Sequence, residues 1–153
     1  MFLKGACQMV TTLYETDFYA WTQEQASLLR AEEIEKLDLS NILEEIEAMG
    51  QRERRELTSR LIVLIMHLLK WQFQPEYRSK SWVNTLRHQR LEIELLLEDS
   101  PSLQRELSER ITLAYARARS AAVEETGLLT LVFPNECPYT DVQILSEEFL
   151  SES

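Results

Sequence analysis

The stretch LIVLIMHLLKW, Leu61–Trp71, is the most apolar part of the chain, and it decides the fold. Nine of its eleven residues are apolar, and the exceptions are His67 and Lys70. Placed on a helical wheel, the segment is apolar on most sides, which is typical of a helix at the centre of its fold. Pro75 ends the pattern, because a proline disfavours helix in the residue before it. The sequence therefore predicts a largely apolar central helix over about 51–73.

The composition predicts an all-α fold. The 153 residues include only three glycines and four prolines, too few for the frequent turns of a β-sandwich or barrel. Helical spacing recurs between these breaks, so we predict a single-domain bundle of five or six helices over residues 14–150. Residues 1–13 are predicted to be a loose N-terminal extension. From Leu128 to about Thr140, the chain is predicted to be an extended segment laid over the bundle, followed by a last short helix from Thr140 or Asp141 to about Phe149.

The segment LDLSNILEEIEAMG, before the central helix, is predicted to be helical as well. Its apolar residues mark one face of that helix, namely Leu39, Ile42, Leu43, Ile46 and Met49. Gly50 follows, and two interpretations stay open at this point. The glycine can end the helix as a C-terminal cap, or it can lie inside a longer helix at a cost of about 1 kcal/mol.

Charge is unevenly distributed along the chain. The net charge is −10, which argues against broad binding to nucleic acid, because its phosphates are repelled. Between Gly50 and Arg90, however, there are nine basic and three acidic residues, whereas Glu15–Ala48 has two basic and ten acidic residues. A basic middle segment therefore follows an acidic first segment, and side chains of the two segments are candidates for ion pairs with each other.

The remaining compositional features favour a cytoplasmic protein without a membrane segment. Cys7 and Cys137 form no metal-type spacing and suggest no disulfide framework. The N-terminus lacks the apolar core of a signal peptide. The apolar stretch of eleven residues is shorter than the ~20 needed to cross a bilayer.

His67 belongs to a polar stripe along the central helix. The stripe consists of Glu53, Glu56, Arg60, His67, Lys70 and Gln74. One interpretation is a solvated edge. A second is a buried or half-buried seam satisfied by acids on neighbouring helices, with Glu44, Glu45 and Glu47 of the preceding acidic helix as the obvious candidates.

The third interpretation is a functional site, either hydrolytic or a divalent-metal site formed by Glu44, Glu47 and His67, with His88 as a further candidate. Helical bundles that hold two metal ions use Glu-x-x-His. That motif is absent, because Leu64 stands three residues before His67. No cofactor is predicted.

A second candidate site is a basic cluster that could hold a phosphate, a carboxylate or RNA. It comprises Arg78, Lys80, Arg87 and Arg90. Arg87 and Arg90 are three residues apart and so lie on one helix face. The alternative is that these side chains form ordinary interhelical ion pairs and solvated surface. The sequence has no glycine-rich phosphate loop, nucleophile elbow or zinc-protease motif.

Several segments in a fixed order carry a resemblance to a known family. They are YETDFYAW, LLRAEEIEKLDLSNILEEIEAMG, HLLKWQFQPEYRSKSW, EDSPSL, AYARARSAAVEETGL and FPNECPY. From about Tyr14 to about Phe149 the chain resembles the bacterial family called domain of unknown function 29, which is widespread in cyanobacteria. The resemblance implies an all-α fold and no established activity. The chain departs from the family pattern at Ala31–Glu33, where a turn residue such as glycine is expected.

These observations predict a non-enzymatic cytoplasmic helical protein that binds a protein partner or a second copy of itself. The alternatives are the metal or hydrolytic site at Glu44, Glu45, Glu47 and His67, and the anion or RNA site of the basic cluster.

Overall fold

The computed structural model describes residues 12–150, which form α-helices joined by short 3₁₀ turns. The helices are α1 (Leu13–Thr16), α2 (Phe18–Arg30), α3 (Leu39–Phe73), α4 (Lys80–Asp99), α5 (Leu107–Thr126) and α6 (Asp141–Leu145). Residues 12–150 contain no strand, so the prediction of an all-α fold with five or six helices is confirmed. Of the predicted loose extension, residues 1–11 lie outside the described part of the chain.

Local sequence signals explain where most helices begin and end. The side chain of Asp17 accepts a hydrogen bond from the Ala20 amide at 3.0 Å and so caps α2. Ser79 caps α4, and Thr140 forms a capping box with Gln143 at the start of α6. Gly127 ends α5 in the left-handed conformation, with φ at 72°.

Gly50 does not interrupt α3. The helix runs for 35 residues, from Leu39 to Phe73, so the central helix begins well before residue 51. A Cβ at Gly50 would have no atom within 4 Å, so neither a positive φ nor a close approach requires glycine there. The cost of one glycine, about 1 kcal/mol, is small beside the packing that holds the rest of α3 in place.

Contacts within the described chain fall into two compact units, which divide between Gly50 and Gln51. In the described part of the first unit, α1 and α2 pack against the start of α3 through a polar network. The indole of the buried Trp21 donates to the Asp38 carboxylate at 3.0 Å, and the buried Gln25 accepts from the Asp38 amide at 2.8 Å. Asn41 donates to the same carboxylate at 2.8 Å. These three hydrogen bonds attach Asp38, the residue before α3, to α2 and to the first turn of α3.

The second unit has a continuous hydrophobic core. Its fully buried side chains include Leu57, Leu61, Leu64, Ile65, Leu68 and Leu69 of α3, Leu86 and Ile93 of α4, and Ala114, Ala118 and Ala122 of α5. Phe133 and Ile144 of the C-terminal segment complete it. The apolar stretch that the sequence places at the centre is therefore the core of this unit. No helix in residues 12–150 is both long and apolar enough to cross a bilayer.

Candidate functional site

The polar stripe of α3 is exposed at its start and becomes a half-buried, paired seam from Arg60 onward. Arg60 lies 3.2 Å from the Glu92 carboxylate of α4, and the Lys70 ammonium lies 2.5 Å from the Glu125 carboxylate of α5. These contacts match the second interpretation of the stripe, but the acids come from the helices that follow α3. Nothing in the spacing of the sequence distinguishes Glu92 and Glu125 from the other acids of α4 and α5.

His67 makes a local hydrogen bond within α3. Its Nδ1 lies 2.8 Å from the Val63 carbonyl, four residues earlier, and the carbonyl can only accept. Nδ1 therefore carries the hydrogen in this bond, and Nε2 is the atom that titrates. Burial lowers the pKa of His67, and the Lys70 charge acts in the same direction, whereas the Val63 bond and Glu125 oppose the shift. The arrangement keeps the imidazole neutral.

Two cation–aromatic contacts occupy the basic side chains near the end of α3. The Lys70 ammonium lies 4.7 Å from the ring centroid of Trp82, in addition to its ion pair with Glu125. The Arg78 guanidinium lies 5.0 Å from the Trp71 ring and donates from Nε to the Trp71 carbonyl at 2.8 Å. These contacts hold the end of α3 and the following turn together.

The acids Glu44, Glu45 and Glu47 lie on the same helix as His67, rather than on a preceding helix. Glu47 precedes His67 by twenty residues on α3, and the two belong to different units. Glu45 accepts a hydrogen bond from the Tyr14 hydroxyl at 2.6 Å. This bond is the main cause that raises the pKa of Tyr14 to about 12. Among residues 12–150, no group of three or more His, Cys, Asp or Glu side chains could hold a metal ion.

The basic cluster is divided among different roles. Arg90 is buried, and its guanidinium donates to four main-chain carbonyls of the C-terminal segment: Gln143, Ile144, Glu147 and Phe149. Arg78 holds the end of α3. Lys80, Arg87 and the nearby His88 are exposed on α4. Arg90 therefore anchors the chain's own backbone, a role that its spacing from Arg87 does not predict.

A groove of about 990 Å³ lies between α5 and the C-terminal segment. Its polar side chains hold that segment in place: the Tyr115 hydroxyl donates to the Pro134 carbonyl at 2.5 Å, and Arg119 donates to the Phe133 carbonyl at 3.0 Å. Cys137 lines the groove, and burial raises the pKa of its thiol. A thiol in this state is a poor nucleophile at neutral pH.

The first unit carries an exposed apolar row on α3, which belongs to the apolar face that the sequence predicts from helical spacing. We define the apolar row as Leu39, Leu43, Ile46 and Met49, whose exposed fractions are 61%, 56%, 56% and 52%. Helical periodicity finds these residues correctly as one face. Periodicity does not indicate whether another element of the same chain covers that face. Within residues 12–150, no element covers the apolar row fully.

A family model described as "Domain of unknown function DUF29" matches residues 13–150, nearly the whole chain. The match agrees with the resemblance seen in the sequence between about Tyr14 and Phe149. Searches for similar curated proteins and for similar solved structures found no match. The chain therefore belongs to the DUF29 family.

Proposed function

We propose that the protein is an interaction module and that another protein docks on the apolar row. The observation that carries this proposal is the exposure of four large apolar side chains within eleven residues of α3. Single exposed apolar side chains are common on folded proteins, but a contiguous set is typical of a binding surface. Leu29, at the end of α2, and Ile34, in the turn before α3, are about half exposed as well and add apolar surface to this unit.

The geometry of α3 supports docking on this row. Leu39, Leu43 and Ile46 follow one another by four and three residues, so their side chains form a stripe along one side of the helix. Asn41 and Glu45 point to another side, where they bond Asp38 and Tyr14. The hydrogen bonds that build the first unit therefore leave the stripe free for a partner, and apolar stripes of this spacing recur in helix recognition.

The charged side chains of the second unit support binding rather than catalysis as the function. Lys70 is paired with Glu125, Arg60 with Glu92, and Arg90 with four backbone carbonyls. These groups stabilise helix packing and attach the C-terminal segment. The low cysteine content fits a reducing setting, and we propose the cytoplasm as the location.

The test is a capture experiment with matched variants of the full chain. Ile46→Asn replaces a row residue that is 56% exposed, and Leu113→Asn replaces a leucine of α5 that is 51% exposed. Neither change adds charge, and both are expected to leave stability within about 0.5 kcal/mol of wild type. We expect the proteins captured from native lysate by the wild type to be lost with Ile46→Asn and retained with Leu113→Asn. Equal capture by both variants would contradict docking on the row.

A further inference from the structure

We infer that the partner on the apolar row is an amphipathic helix of another protein, with basic residues beside its apolar face. This inference rests on the proposed function and specifies the chemistry of the partner. Its basis is the combination of an exposed apolar stripe with the strong excess of acidic residues in the first unit.

The first unit carries a strong excess of negative charge. Between Leu39 and Gly50, α3 carries Glu44, Glu45 and Glu47 and no lysine or arginine. Glu47 is exposed and follows Leu43 by four residues, so it lies directly beside the row. The wider segment Glu15–Ala48 has two basic and ten acidic residues. One of the two, Lys36, already pairs with Glu33 at 2.6 Å.

A second copy of this chain is a poor occupant of the row. Two rows placed face to face would bring the Glu47 of each copy toward the same acidic surface on the other. Like charges held at an interface oppose association, whereas opposite charges accelerate encounter and fix the register. A partner with lysine or arginine beside its apolar face meets this surface favourably. Charge complementarity therefore selects a basic partner over self-association.

The spacing of the row favours a helix as the docking element. Leu39, Leu43, Ile46 and Gly50 follow one another by four, three and four residues, which is the spacing of a coiled-coil seam. Gly50 is exposed, and no atom lies within 4 Å of the place where its Cβ would stand. The seam therefore ends in a gap that can accept a large side chain of the partner helix. A helix laid along α3 would place its knobs between the three apolar side chains and in this gap.

The experiment measures binding of two fluorescent 18-residue model peptides to the full chain by anisotropy. The peptides share one leucine face, flanked by lysines in the first and by glutamates in the second. We expect the lysine peptide to bind at least about tenfold more tightly at low salt, since several weak charge pairs add to this difference. The advantage is expected to shrink as the ionic strength rises to about 0.5 M, because salt screens exposed charges. Ile46→Asn should weaken binding of the lysine peptide, and Leu113→Asn should not.

A second variant tests the acidic surface without touching the row. The double variant Glu44→Gln/Glu47→Gln keeps size and helix propensity, and it is expected to remove most of the advantage of the lysine peptide. Retention of the full advantage in this variant would count against the inferred partner.

The other outcomes separate this inference from the proposed function. Equal binding of both peptides, lost with Ile46→Asn, would overturn the basic partner and leave docking on the row intact. If the lysine peptide still binds the Ile46→Asn variant, its binding is general charge attraction and does not depend on the apolar row. This result would overturn the inference. Failure of both peptides would overturn the inference too; the capture experiment with Ile46→Asn and Leu113→Asn then decides the proposed function separately.

Discussion

The guanidinium of Arg90 donates from Nε to the Ile144 carbonyl over 2.8 Å, and this bond attaches the C-terminal segment to α4. The same side chain also reaches the carbonyl of Phe149 at 2.8 Å. The buried guanidinium satisfies its donors through backbone oxygens at and beyond the end of α6. The Glu147 charge acts on the same side chain. The position predicted to bind an external anion is instead filled by the chain's own backbone.

Replacing Arg90 by methionine is expected to destabilise the protein by about 2–4 kcal/mol, because several buried carbonyls lose a charged donor. Urea denaturation followed by circular dichroism measures the change. Arg87→Met is the matched control, since Arg87 is exposed on the same helix, and its effect is expected to stay within about 0.5 kcal/mol. Equal effects of the two substitutions would contradict the anchoring role of Arg90.

Stability is expected to fall as the pH drops from about 7 to about 5, with His67 contributing to the loss. Burial lowers the pKa of His67 below its ordinary value of 6.5. In this window the unfolded state therefore takes up a proton that the folded state does not, and the free energy of unfolding decreases with falling pH. The Lys70 charge strengthens the shift, and Glu125 weakens it.

The measurement is the difference in pH dependence between wild type and His67→Gln, from urea denaturation at several pH values. Only part of the acid sensitivity is expected to disappear in the variant, because carboxylates titrate at lower pH. His88→Gln, at an exposed position of α4, controls for the loss of an imidazole. An unchanged pH slope in His67→Gln would refute the assignment.

The two glycines of the described chain are expected to respond in opposite directions to alanine. Gly50→Ala should stabilise the protein by about 0.5–1 kcal/mol, since the position is helical and a Cβ there meets nothing within 4 Å. Gly127→Ala should destabilise it by about 1 kcal/mol or more, because its φ is 72°. Thermal melting of both variants checks the signs; destabilisation by Gly50→Ala would indicate that α3 needs a break at this residue.

Glu32 lies in the turn where the family pattern predicts a residue such as glycine. Its φ is 55°, which is in the left-handed region. A left-handed conformation costs a residue with a Cβ about 1–2 kcal/mol. Glycine avoids this cost, but it loses more backbone entropy on folding, which offsets part of the gain. Glu32→Gly is therefore expected to stabilise the first unit by about 0.5–1 kcal/mol. Glu33→Gly changes the charge equally at a φ of −84° and should destabilise instead. The reverse order of the two melting temperatures would contradict this account.

The helices of this protein could be predicted from sequence because their signals are local. Asp17, Ser79, Pro75 and Gly127 each act on the backbone within a few residues, and the observed helix ends follow them. Gly50 could not be decided in the same way. A penalty of about 1 kcal/mol is smaller than the packing energy of the residues on either side, so tertiary contacts determine the outcome.

The partners of the polar stripe could not be predicted, for a different reason. Pairing of the stripe with acids is one of the three interpretations that the sequence leaves open, and any of the glutamates on nearby helices fits it equally in sequence. The structure pairs Arg60 with Glu92 and Lys70 with Glu125. Likewise, the spacing of Leu43 and Ile46 predicts an apolar face without specifying what covers it. Long-range pairing depends on which helices are neighbours, and periodicity contains no information about that.

The measurement that tests the central claim most directly is methyl NMR of the full chain, labelled at leucine, isoleucine and methionine, during titration with the lysine peptide. The account predicts that the methyl resonances of Leu43, Ile46 and Met49 shift together in a saturable manner, while those of Leu113 and Leu131, both exposed in the second unit, stay in place. Shifts that cluster around Leu113 and Leu131, or no saturable shifts in the apolar row, would contradict docking on α3.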